Sequence, residues 1–184
     1  MRAIGIVGAD GTGKTTLISG LVERLGGNYV VCGGVARNVI KQGFPLGKSA
    51  NKESYIELIR HQISSVTPHL GTNNLLVDRT LIDPYCYAMV NRDLPRPYID
   101  DRFIEFLRTI WILETKYIEA YFLTSADFPQ KSDGVREFDL EYQSRIDQFL
   151  EQTLTENQIP FLRLRGGIDE RLNKALEFLS PGGT

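Results

Sequence analysis

Two rhythms of apolar residues take turns along this chain. Ala3-Ile4-Gly5-Ile6-Val7 is a continuous apolar run of strand length, and Thr16 to Leu25 then places Leu and Val at helical spacing. Gly26-Gly27-Asn28 stops that helix, and Tyr29 to Cys32 is a short β-prone run. Gly33-Gly34 opens a loop into a helical piece over Val35 to Lys41, which the stretch Gly43 to Gly47, carrying Pro45, breaks. From Lys52 to Val66 the spacing predicts a longer helix, with Tyr55, Ile56, Ile59, Ile63 and Val66 on one stripe. Asn73 to Asp78 is an apolar strand that ends in an acid. Asp83-Pro84 reads as an N-cap with Pro at the first helical position, leading a helix through Tyr87, Ala88 and Val90 that Pro95 and Pro97 end.

The second half keeps the alternation. Ile99, Phe103, Phe106, Leu107, Ile110 and Leu113 recur at helical spacing, which makes Trp111 beside them a core residue. Ile118 to Leu123 reads as a strand with Glu119 as a charge inside it, and the polar stretch from Thr124 to Gly134 has the length and composition of a functional lid. A helix over Asp139 to Glu156, a strand over Ile159 to Leu164 that tolerates Pro160 near its start, and a helix over Ile168 to Leu179 complete the pattern. Strands alternating with helices predict an α/β fold: one five-stranded parallel sheet with helices on both faces and a ligand site at the carboxyl ends of the strands. Residues 1–179 form the expected single domain, and 180–184 a flexible tail.

Composition narrows the class. With 184 residues, 42% hydrophobic, 24% charged and a net charge of -2, the chain has neither a global basic field nor a run long enough to span a bilayer. The expectation is a cytoplasmic protein with no membrane partner, for which nucleic acid is the less favoured ligand. Cys32 and Cys86 lack the number and spacing of a disulfide framework or zinc site and read as reduced structural thiols. His61 and His69 do not form a ligand cluster.

The chemistry sits between the first strand and the first helix. Gly8-Ala9-Asp10-Gly11-Thr12-Gly13-Lys14-Thr15 fits the phosphate-loop pattern G-x-x-x-x-G-K-[ST], in the strand-to-helix setting that its mechanism needs. The glycines let backbone N–H groups turn inward around phosphate oxygens, and the helix start adds the positive end of its dipole. The expected nucleotide-binding set is Gly8, Asp10, Gly11, Thr12, Gly13, Lys14, Thr15 and Thr16. Lys14 is expected to reach the β and γ phosphates of ATP, and Thr15 a magnesium ion that Asp78, at the end of a buried strand, also holds. Asp78 as a turn cap is the alternative. Arg79 and Arg37 suit phosphate neutralisation, or else surface ion pairs. Asp10 puts a carboxylate into an anion-binding loop, which fits either a group facing the acceptor or a local bond that shapes the loop. Arg136, just beyond the polar stretch, is expected to close over the phosphates, with Lys131 a weaker candidate.

With these residues in place, the chain resembles the nucleoside and nucleotide kinase branch of the phosphate-loop proteins. The loop with Asp10, the pair Asp78-Arg79, and Arg60 with Gln62 on a helix are similar to thymidylate kinase, in which the last pair binds the acceptor. Gly34-Val35-Ala36-Arg37, Asp78-Arg79 with Asp83 and Tyr87 beyond, and Asp133-Gly134-Val135-Arg136 resemble the ribosylnicotinamide kinase-like ATPase family over nearly the whole chain. The resemblance implies ATP- and magnesium-dependent phosphoryl transfer to a nucleoside or nucleotide. It implies Lys14, Asp10, Arg79 and Arg136 as catalytic residues and Arg37, Arg60, Gln62, Asp83 and Tyr87 as acceptor contacts. A homodimer is compatible with it. One position departs: where the second family keeps a Glu three residues before the Arg that aligns with Arg37, this chain has Gly34. Kinases acting on a polynucleotide or modified base, and a nucleotide-binding regulatory ATPase, are the alternative functions.

Overall fold

A computed structural model describes residues 1–95, 99–125 and 139–180. The strands β1 (Ala3–Val7), β2 (Tyr29–Gly33), β3 (Asn74–Asp78), β4 (Ala120–Thr124) and β5 (Phe161–Leu164) form one sheet in the order β2-β3-β1-β4-β5. Every neighbouring pair is parallel. The helices are α1 (Lys14–Leu25), α2 (Ala36–Lys41), α3 (Lys52–Val66), α4 (Ile82–Arg92), α5 (Asp101–Glu114), α6 (Leu140–Glu156) and α7 (Ile168–Leu179).

The sheet separates two cores. On one face, Ile4, Ile6, Leu76 and Phe122 pack against Leu17 and Leu21 of α1 and Leu172 and Ala175 of α7. On the other, Val7, Leu75, Val77 and Leu123 pack against Tyr55 and Ile59 of α3, Cys86 of α4, Trp111 of α5 and Ile146 of α6. β1 lies in the middle with all five residues buried, which is why its sequence is continuously apolar instead of alternating. Each fully buried Ile or Leu stabilises the fold by roughly 1.5–3 kcal/mol. Among the described residues, no helix is long and apolar enough to cross a membrane. Cys32 and Cys86 are free and buried.

Local chemistry sets the helix starts. Asn51 caps α3 by accepting from Ser54 N at 2.9 Å, with the Ser54 side chain reaching back. Asp100 caps α5 and Asp139 caps α6, each accepting a backbone N–H at 2.9 Å. Several boundaries differ from the sequence reading. α1 begins at Lys14, two residues early, because Gly13 at φ 83 supplies a left-handed N-cap. Asp83 is not the N-cap of α4: that helix begins at Ile82, and the Asp83 carboxylate sits in its first turn and accepts from Thr80 N at 2.9 Å. Glu119 lies just before β4 and pairs with Arg2 at 2.8 Å, so the charge never enters the sheet interior.

The stripe on α3 is also revised. Tyr55, Ile59, Gln62 and Val66 are buried, whereas Ile56 and Ile63 are 48% and 46% exposed. Gln62, a polar residue, takes the third place on that buried face because its amide has a backbone partner there, described below. On α5, Trp111 is buried as expected, but Phe106 and Leu113 face outward.

Candidate active site

The carboxyl ends of β1, β2 and β3 bring three segments together, and the phosphate loop is the most tightly held. Lys14 is buried, and its Nζ donates to Gly8 O at 2.8 Å, Ala9 O at 2.6 Å and Thr12 Oγ1 at 3.4 Å. Burial and the neighbouring Arg79 charge lower its pKa to about 7, against the opposing pull of Asp10, Asp83 and Asp78. Thr12 ties the loop to the next strand, with its Oγ1 2.6 Å from Thr124 Oγ1 and 2.9 Å from Ala9 O. No side chain caps α1, so its first N–H groups remain open to an anion; Thr15 and Thr16 stand exposed in that first turn.

Arg171 was not anticipated from the sequence. It is 2% exposed, and its guanidinium donates to Thr12 O at 2.8 Å, Ser125 O at 2.7 Å and Gly166 O at 2.9 Å. A side chain from α7 thereby joins the loop after β1 to the ends of β4 and β5. No motif announces it, because these three partners are backbone carbonyls with no side-chain identity.

The neighbouring part of the site is built from side chains. Arg79 sends Nη2 to Asp10 Oδ1 at 2.6 Å and Nη1 to Asp83 Oδ1 at 2.9 Å, and its guanidinium lies over the Tyr87 ring at 5.4 Å. Burial works against the Arg79 charge, but Tyr87, Asp10, Asp83 and Asp78 outweigh it and raise its pKa well above the usual value. Burial pushes the Asp83 carboxyl up despite Arg79 beside it. The backbone of Arg79 is itself strained at φ 63, a left-handed conformation that costs a non-glycine residue about 1–3 kcal/mol. Two bonds hold it there: Arg79 N donates to Ile6 O at 3.0 Å, and the Gln62 amide donates to Arg79 O at 2.6 Å.

Asp10, Arg79, Asp83 and Tyr87 line a cavity of about 50 Å³ whose remaining wall is apolar, including Leu46, Tyr55 and Leu58. Its outer side is the loop around Gly47, whose carbonyl accepts from Asn91 Nδ2 at 2.8 Å. Asn91 is buried and also bonds the hydroxyls of Tyr55 and Tyr142, at 2.9 and 2.8 Å. Ala36 reaches the lining, which puts the exposed Arg37 at the rim.

The structure gathers most of the expected residues and separates others. Lys14, Asp10, Arg79, Asp83 and Tyr87 converge. Asp78 ends β3 beside Gly33, with which it is in register. A Cβ at Gly34, which has φ +69, would lie 3.9 Å from Asp78 Oδ2, so the space left by the absent carboxylate opens toward Asp78. The pair Arg60 and Gln62 is divided. Arg60 is on the exposed face of α3, bonded to Glu57 at 2.6 Å, and Gln62 braces the Arg79 backbone; neither lines the cavity. His61 bonds Gln42 and Arg60 on that same surface. Arg136 and Lys131 lie outside the described residues. Among the described residues no group of three or more His, Cys, Asp or Glu could hold a metal.

Comparison with known proteins agrees with this architecture. A family model described as an AAA domain matches residues 3–171. No curated protein matches the sequence. Among solved structures, the deoxyadenosine kinase from M. mycoides superposes with a TM-score of 0.72 at 16% identity, covering 97% of this chain and 98% of that one. Thymidylate kinase from Ehrlichia chaffeensis gives 0.69 at 17% identity, with 97% of each chain covered. The NadR protein, solved in complex with NR, gives 0.74 at 17% identity; 97% of this chain is covered but only 50% of that one, so this chain spans about half its length. At such identities the likeness establishes the fold, that of the phosphate-loop nucleoside and nucleotide kinases.

Proposed function

The chain belongs to the AAA-domain family, and from its fold and the site just described we propose that it is a phosphotransferase that uses ATP and magnesium to phosphorylate a nucleoside or nucleotide. The observation that carries this reading is the Arg79 fork. It ties Asp10 of the phosphate loop to Asp83, and all three residues line one cavity with apolar walls, which suits an acceptor site abutting the loop. A regulatory ATPase that delivers phosphate to water has no use for that second site.

The residues suit a phosphate chain. α1 opens on uncapped N–H groups, and the hydrogen bonds of the buried Lys14 ammonium all go to neutral oxygens. Lys14 would exchange those oxygens for phosphate, whose charge favours the ammonium form that burial now disfavours. Thr15 and Asp78 offer hard oxygen ligands of the kind magnesium takes, and the bound ion supplies charge neutralisation along the phosphates. Arg79 is a fixed cation between the two sites and stabilises charge on the group in transit. Asp10 faces the acceptor from the loop side and holds the proton of an acceptor hydroxyl, in a reaction that depends chiefly on positioning. Arg37 at the rim suits an acceptor phosphate, and the flat Tyr55 and Tyr87 walls suit a base. Arg136 keeps its expected role over the phosphates.

A cavity of about 50 Å³ is well below the roughly 300–1,000 Å³ of small-molecule sites. Entry of an acceptor therefore lifts the Gly47 loop and breaks its bond to Asn91. The test is to incubate the protein with γ-labelled ATP, magnesium and a panel of nucleosides, nucleoside monophosphates and oligonucleotides. Label is expected in an acceptor-dependent product from the first two groups. Label released only as inorganic phosphate, whatever acceptor is present, overturns the reading.

A further inference from the structure

Behind the active site lies a larger cavity that the proposed reaction does not use. It measures about 290 Å³ and lies between the carboxyl-terminal ends of α3 and α5, with Val66, Leu70, Leu81 and Ile110 in its wall. Ile63 and Leu113 stand at its mouth, 46% and 51% exposed, with Tyr117 at 59%. One carboxyl group enters this apolar space, that of Glu114. Its Oε2 accepts from Leu81 N at 2.7 Å, and its other oxygen has no hydrogen bond among the described residues.

Three features give the cavity an appetite for positive charge. The last turns of α3 and α5 contain no basic residue, and the negative ends of two helix dipoles arrive there. No lysine or arginine lines the wall. The charged group nearest the Glu114 carboxyl in its effect is another acid, Asp83 of α4, and the remaining titratable neighbours are the phenols of Tyr121 on β4 and Tyr117 beyond α5. Tyr117 also presents an aromatic ring at the mouth, a further partner for a cation.

The geometry points to a second binding site, between α3 and α5, for a small apolar molecule that carries one protonated amine, its body among Val66, Leu70 and Ile110 and its ammonium on Glu114. Burial, reinforced by Asp83 and opposed by the Leu81 N–H, raises the Glu114 pKa to about 8, so at neutral pH the empty site holds a proton there. The arriving ammonium pairs with the carboxylate, and the Glu114 proton leaves to solvent. Charge is conserved: one cation enters and one proton departs. Affinity therefore rises with pH up to about 8.

Such a site touches the reaction centre through the chain between the two cavities. The strained Arg79 is braced by Gln62, and Leu81 is held by Glu114; both bracing residues line the second cavity. An effect of the amine on turnover rests on the proposed kinase reading; its binding does not.

Benzylamine, benzyl alcohol and benzoate serve as probes of matched shape, titrated into the full chain and followed by amide NMR and calorimetry. Benzylamine is expected to bind about tenfold tighter than benzyl alcohol, the worth of one charge-assisted bond, with benzoate weakest. It should shift the Leu81 amide and the Gln62 side chain, and release protons at pH 7. Glu114→Gln preserves an acceptor for Leu81 N and should abolish both the amine preference and the proton release. Ile63→Trp, on the exposed mouth, should block all three probes while leaving the fold intact. Equal binding of benzoate and benzylamine, an amine preference that survives in Glu114→Gln, or shifts confined to other parts of the protein would each overturn the site.

Discussion

The two halves of the proposed active site, one for phosphate and one for an acceptor, are made of different material. The phosphate half is backbone: Thr12, Ser125 and Gly166 offer carbonyls, α1 offers N–H groups, and Lys14 and Arg171 are held by main-chain oxygens. The acceptor half consists of side chains from the phosphate loop, the end of β3, α3 and α4, joined by the Arg79 fork to carboxylates 69 residues upstream and four downstream. A backbone device works for any molecule with the same phosphates and admits little variation. A side-chain device can be rebuilt without touching the first, which is how one fold accommodates many acceptors.

This contrast can be broken by substitution. Lys14→Ala strikes the phosphate half and is expected to lower turnover by about 10²–10³ and to weaken ATP binding in calorimetry. Asp10→Ala strikes the acceptor half from within the same loop. Its turnover should fall at least about tenfold, or about 1.4 kcal/mol, with ATP affinity retained. A loss of ATP affinity matching that of Lys14→Ala would erase the distinction. The smallest effect is one of pH. Free Lys14 titrates at about 7, and phosphate favours its charged form, so nucleotide binding takes up a proton above that pH. ATP affinity should drop about fivefold from pH 7 to pH 8, with proton uptake visible in buffers of different ionisation enthalpy. Arg79 stays charged throughout, so acceptor affinity should stay flat over the same range.

The same contrast explains what could be read from the sequence. The sheet, its helices and the phosphate loop are written in local periodicity and in one contiguous motif, and they stand where expected to within a few residues. The acceptor half is written in long-range pairing. Asp83 looked like a helix cap because Asp-Pro usually is one, yet its carboxylate serves Arg79 and Thr80. Gln62 looked like an acceptor contact and instead braces the Arg79 backbone, a role set by how α3 packs on the sheet. Ile56 and Ile63 looked like core because they are apolar at helical spacing, but the neighbouring turn of the stripe carries the burial. Arg171 bonds to carbonyls that every residue possesses, and Arg79 adopts its left-handed backbone only because two distant groups hold it.

Arg171 also bears on how the protein comes into being. A ribosome delivers the chain from the N-terminus, at about 5–20 residues per second, so the phosphate loop emerges well before α7. The side chain that fastens Thr12 to the ends of β4 and β5 belongs to α7. An unfinished chain therefore carries the motif without its clamp.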